Sequence, residues 1–289
     1  MSQPARSIDG TPAGTNHVLW ALIVLYAVAR VLQLFAGRIP MLAIVALHVF
    51  PPAVFALIHG SRFYGSRGIV TFVAICLVVG NVFENLGVLT GVPFGRYYFT
   101  DVMGPKLLHV PILLGLAYVG MGCLSWTLGH LITGNLRSPI TGSRVVTLPL
   151  VAAFIMVAWD LSMDPIWSTV EHGWIWLNGG AYFGVPVVNF FGWYVTVYVI
   201  YQLFALYLRD RATIPDRLPA SYWRLAVLFY GISAVGNILL VIPVAGPSLV
   251  TDASGAQWKL SDITGVCALV SIFIMGGFAV RAWGRLICD

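Results

Sequence analysis

Polar and apolar positions segregate along this chain into long blocks rather than alternating within a helical turn. Runs such as Val18 to Phe35, Met41 to Ile58, Gly68 to Leu89 and Val145 to Trp159 carry almost no polar side chains. They approach or reach the ~20 apolar residues that cross a hydrocarbon core. The blocks predict helices near 17–36, 40–59, 68–89, 107–133, 144–163, 188–208, 221–245 and 260–282. The expected fold is therefore all-α, a polytopic integral membrane helical bundle of about eight transmembrane helices. A polar N-terminal tail over 1–16 precedes a single transmembrane domain over 17–289. The first apolar run is too long for a removable signal peptide and lacks a clear cleavage site, so it is expected to be the first helix.

Composition points the same way. Of the 289 residues 59% are hydrophobic and only 9% are charged, against roughly 25% charged in soluble domains. A water-soluble globule is thereby excluded. The formal charge of +5 does not make a nucleic-acid binder, because the basic residues are scattered between hydrophobic runs, where they set topology. Arg6, Arg62, Arg67, Arg137, Arg144, Arg209, Arg211, Arg217, Arg224, Arg281 and Arg285 fall on the side of the N-terminus, and only Arg38, Arg96, Lys106 and Lys259 fall opposite. Both termini are thus expected to be cytoplasmic, which requires an even number of spans in a multi-pass protein of the plasma (inner) membrane. Cys76, Cys123, Cys267 and Cys288 show no metal-ligand spacing and are expected to be small packing residues.

Two outer connections differ from ordinary loops. Residues 90–106 and 165–187 are dense in Trp, Tyr, Phe, Gly and Pro, as expected of an interfacial belt or of a lid over a hydrophobic ligand. Both contain Gly-Val-Pro, a possible trace of an internal repeat.

Candidate chemistry lies in the few intramembrane polar residues. At ~1.5 Å per residue, Glu84 lies some 24 Å along its helix from Gly68 and Asp160 equally far from Arg144. Asp164 follows Asp160 by one helical turn and shares its face, and Asn85 adjoins Glu84. The same accounting brings His109, Asn189, Asn237 and Asp262 to that level, so one polar cluster is expected. Carboxylates in hydrocarbon cost ~2.5–3.5 kcal/mol on insertion scales, so they face a cavity, a partner or one another. Apolar burial favours a protonated carboxyl, which is what a general acid needs. The competing structural explanation is an ion pair, with Arg30, itself inside the first helix, as the obvious partner.

The six histidines show no HxxxH or HxxH pairing, which disfavours a di-iron oxygenase. No GxGxxG follows a strand, which disfavours a flavin enzyme. A proton-coupled carrier of a small solute and a non-catalytic ligand-binding or scaffold subunit remain alternatives. Against a carrier stand the position of the cluster toward one face and the faint repeat symmetry.

The segments FENLGVLTGVPFGRYYF (83–99), WDLSMDP (159–165) and GGAYFGVPVVNFFGW (179–193) resemble a carotenoid-biosynthesis membrane family that includes the gamma-carotene and bisanhydrobacterioruberin hydratases. The likeness spans most of the bundle but carries little of the first sixteen residues or the last two helices. It implies cofactor-free addition of water across the terminal isopropylidene double bond of an acyclic or monocyclic carotenoid, giving a tertiary alcohol, with no metal. Other enzymes of the carotenoid pathway are possible partners. Protonating such an alkene needs a poorly solvated acid, and the tertiary cation needs aromatic faces nearby. On that basis Asp160 or Asp164 is the expected acid and Glu84 the acceptor of a proton from the attacking water. Asn85 and Asn189 would orient that water, while Trp159, Trp174, Trp176, Tyr97, Tyr98 and Tyr182 shield the cation. Gly80, Gly87, Gly115, Gly120 and Gly122 either open a groove for the polyene or allow close helix packing.

Overall fold

A computed structural model describes residues 13–134, 140–209, 218–242 and 248–288. Most of the expected polar tail lies outside the described residues, as do Arg6, Arg137, Arg211 and Arg217 and the side chain of Cys288. The main helices are α1 (Ala13–Leu32), α2 (Met41–Thr90), α3 (Ile112–Thr133), α4 (Arg144–Pro165), α5 (Val187–Arg209), α6 (Ala220–Leu239), α7 (Leu260–Val270) and α8 (Gly276–Cys288). A π-helical turn, Ser271–Met275, joins α7 and α8 into one apolar rod. Among the described residues seven helices are long and apolar enough to cross a membrane.

One of the seven makes two passes. At 50 residues, α2 would be ~75 Å long if straight, more than twice a ~30 Å hydrocarbon core. It breaks at Gly65, whose φ of 67° and ψ of 171° are non-helical. Before the break, Leu42 lies by Gly104, Ala53 by Gly120 and Phe63 by His130, so this half runs alongside α3 in the same direction. After it, Phe72 lies by Gly122, Leu77 by Gly115 and Tyr118 by Gly80, so the second half runs opposite. The chain reverses at Gly65, which gives about eight spans. The expected loop over 60–67 is almost entirely helical, because a single glycine in a left-handed conformation suffices for the turn.

Other boundaries move for local reasons. The fourth expected helix starts at Ile112 rather than 107, since β2 (Lys106–Leu107) pairs with β3 (Val110–Pro111) in a minimal hairpin. The seventh ends at Leu239, and 243–247 lie outside the described residues. The two aromatic connections are joined to each other: β1 (Tyr97–Phe99) pairs antiparallel with β4 (Trp174–Trp176), Tyr97 opposite Trp176 and Phe99 opposite Trp174. The proline of each Gly-Val-Pro segment is also closely packed: a Cβ at Gly95 would meet Pro186 at 3.1 Å, and one at Gly192 in α5 would meet the Pro93 carbonyl at 2.8 Å. A second hairpin, β5 (Leu249–Thr251) with β6 (Gln257–Lys259), packs Trp258 on Phe183.

Of the glycines expected either to open a groove or to pack, Gly80, Gly87, Gly115 and Gly120 are closely packed, whereas Gly122 has room for a Cβ. A Cβ at Gly120 would sit 2.8 Å from the backbone of Pro52 and Ala53, and one at Gly115 would sit 2.8 Å from Leu77. Cys76, Cys123 and Cys267 are buried free thiols.

Candidate active site

Helices α1 to α5 and the β1–β4 ribbon build a cavity of about 70 Å³. Its walls are apolar and aromatic, including Val45, Val49, Leu114, Met121, Trp159 and Trp193. Glu84 and Asn189 reach into it as polar groups.

Glu84 stands near the end of α2, where its helix passes the outer half of α3 and the first aromatic connection. It is 3% exposed. Tyr118 of α3 donates to Oε1 at 2.6 Å, and Tyr97 of β1 donates to Oε2. Burial, and then the adjoining Glu84, push the Tyr97 phenol well above its ordinary value, so it remains an O–H donor. Tyr118 in turn stacks face to face on Trp193, with ring centroids 4.8 Å apart and planes within 6°.

Asp160 and Asp164 project from one face of α4, as the four-residue spacing requires. Asn189, in the first turn of α5, bridges them: its Nδ2 donates to Asp164 Oδ2 at 2.6 Å and approaches Asp160 Oδ2 at 3.4 Å. Trp174 Nε1 donates to Asp164 Oδ1 at 2.9 Å. Both oxygens of Asp164 are thus occupied by N–H donors. Asp160 Oδ1, Asn189 Oδ1 and Trp176 Nε1 are buried without a hydrogen-bond partner. The Trp176 indole faces the Asp164 carboxyl without reaching hydrogen-bond geometry.

Not every residue singled out from the sequence joins this group. Tyr98 points away, 46% exposed, because alternation along β1 turns Tyr97 and Phe99 inward. Asn85 is buried, but its amide bonds Asn81 and accepts from the His109 backbone N–H at 3.1 Å. Tyr182 donates to the Leu161 carbonyl at 2.9 Å and so braces α4. His109 and Asp262 are exposed.

The expected single polar cluster is the main correction, and Arg30 shows why. It lines the same cavity, yet its Nη2 donates to the Ser233 carbonyl at 3.3 Å and to Asn237 Oδ1, and Asn237 Nδ2 donates to Ser162 at 2.7 Å. The polar residues therefore form two groups, because equal depth does not mean equal azimuth around the bundle. Gly236 permits this arrangement, since a Cβ there would fall 1.8 Å from Arg30 Nε. Tyr118 and Trp193 were missed as site residues. A tyrosine six residues into a transmembrane helix counts as apolar in a hydropathy pattern, although its depth from Ile112 matches that of Glu84.

Residues 37–251 match the model of a family described as carotenoid biosynthesis protein. The chain belongs to this family. A curated relative, the bisanhydrobacterioruberin hydratase of Haloarcula japonica, is 32% identical over 136 residues, covering 47% of this chain and 44% of the relative. The chain thus aligns with under half the length of that relative. No solved structure matches.

The matched span contains Glu84, Asp160, Asp164 and Asn189 together with both aromatic connections. Helices α1, α7 and α8 and strand β6 fall outside it.

Proposed function

We propose that this member of the carotenoid biosynthesis proteins is a carotenoid hydratase, adding water across the terminal isopropylidene double bond of an acyclic end group. The observation that carries the proposal is the meeting of three buried carboxyl groups beside an aromatic-walled cavity. The hydratase relative supports the reaction class.

Markovnikov addition puts a proton on the less substituted alkene carbon and leaves a tertiary cation. Asp160 is the proposed donor. Its Oδ1 has no N–H partner, whereas both oxygens of Asp164 are already accepting hydrogen bonds. Trp193 and Trp159, 6.5 Å apart between ring centroids and 69° between planes, offer π faces to the cation. Water held between Asn189, Asp160 and Trp176 attacks, and Glu84 accepts the proton that the resulting oxonium loses. Proton return from Glu84 to the aspartate pair resets the site. No cofactor is required by these steps.

The test is expression in cells that accumulate lycopene or gamma-carotene, followed by mass spectrometry of the pigments. A gain of one water is expected. Unchanged pigment with every acyclic end group offered overturns the hydratase proposal.

A further inference from the structure

The face that holds both ends of the bundle has its own cavity, of about 330 Å³. It lies at the opposite end of the spans from the carboxyl cluster, roughly 24 Å away along the second half of α2. Asn16, Trp20, Arg62, Tyr222, Arg224 and Trp283 supply its distinctive walls. No aspartate or glutamate lines it among the described residues.

The two arginines are arranged for an anion. Arg62 precedes the Gly65 reversal, and its Nη1 donates to Asn16 Oδ1 at 3.0 Å. Its Nη2 is buried with no acceptor among the described residues. Arg224 projects from the second turn of α6, with its guanidinium 5.8 Å from the centre of the Trp283 ring. A guanidinium nitrogen withdrawn from water without an acceptor is destabilising. An anion with several acceptor oxygens removes that cost, and phosphate matches the guanidinium fork. The positive end of α6 adds to the same field.

The apolar walls select among phosphates. Trp20 and Trp283 are 48% and 38% exposed, and Leu225 and Leu228 line the same cavity. Amphipathic indoles flanking arginines at a helix-end level mark the headgroup region of a bilayer. We propose that this cavity binds the headgroup phosphate of an anionic glycerophospholipid, with Arg62 and Arg224 as its ligands and the indoles against its glycerol and upper acyl chains. The site is independent of the hydration reaction.

The full chain in neutral detergent tests this by thermal unfolding and native mass spectrometry on addition of phosphatidylglycerol, phosphatidylcholine or inorganic phosphate. Phosphatidylglycerol is expected to raise the unfolding temperature and remain bound, while phosphatidylcholine does neither. The double variant R62Q/R224Q should lose roughly 30-fold in apparent affinity for phosphatidylglycerol. The charge-retaining R62K/R224K variant should keep most of it, which separates loss of the site from loss of the fold. Equal stabilisation of the wild type and R62Q/R224Q by phosphatidylglycerol overturns the proposal. So does equal stabilisation by phosphatidylcholine. A full effect from inorganic phosphate alone, with nothing added by the lipid, overturns the lipid as the source.

Discussion

Glu84 and Asp160 are both sealed from water, yet they are held differently. Two phenols donate to Glu84, whereas Asp160 has one long contact from Asn189 and one bare oxygen. The first arrangement suits a proton acceptor and the second a donor. Glu84→Gln and Asp160→Asn preserve volume and most hydrogen bonding while removing the transferable proton. Each is expected to lower the hydration rate by ~100-fold or more, with unchanged elution on size exclusion. Wild-type turnover in both variants would remove these residues from the proposed mechanism. The sequence pointed to both residues because a carboxyl inside a hydropathy block is conspicuous. It could not reveal their donors, since Tyr118 looks like any apolar residue of its helix.

At the scale of elements, the helices were legible because their apolar runs match the thickness of a membrane. The pairing of β1 with β4 was not. Three residues of alternation are too few to register as a strand pattern, and the partners are separated by two full helices. Nor did depth along a helix report which neighbour a side chain faces, so Asn237 was expected in the carboxylate cluster although it binds Arg30 instead. The reversal at Gly65 gives a direct check on backbone requirements. A Cβ at Gly65 would meet nothing within 4 Å, so only its φ of 67° opposes a side chain. Gly65→Ala is therefore expected to destabilise the protein by about 1–3 kcal/mol, read as a lower unfolding temperature in detergent. Gly231 of α6 is also free of neighbours within 4 Å but has no positive φ. Gly231→Ala should instead be neutral or stabilising by up to ~1 kcal/mol. Equal effects of the two substitutions would mean that Gly65 is not the point at which the chain turns.

For the whole molecule, the reversal decides where the chemistry sits relative to the two sides of the membrane. If α2 makes two passes, Trp20, Arg62, Arg224 and Trp283 share one face, as their common cavity requires. The aromatic ribbon and the β5–β6 hairpin then share the other. By the positive-inside rule the excess of arginine near the first face predicts that it is cytoplasmic, with the carboxyl cluster on the opposite side. Two exposed positions report this directly: Arg67, just after the reversal, and Ser254, near the tip of the β5–β6 hairpin. Single cysteines can be read at these sites in a Cys288→Ser background, because Cys76, Cys123 and Cys267 are buried. Ser254→Cys should react with a membrane-impermeant maleimide in intact spheroplasts, and Arg67→Cys only after the membrane is permeabilised. Labelling of both from the same side would place the Gly65 turn and the hairpin on one face. The second half of α2 would then have to return without crossing, and Glu84 would lose the depth that brings it beside Tyr118.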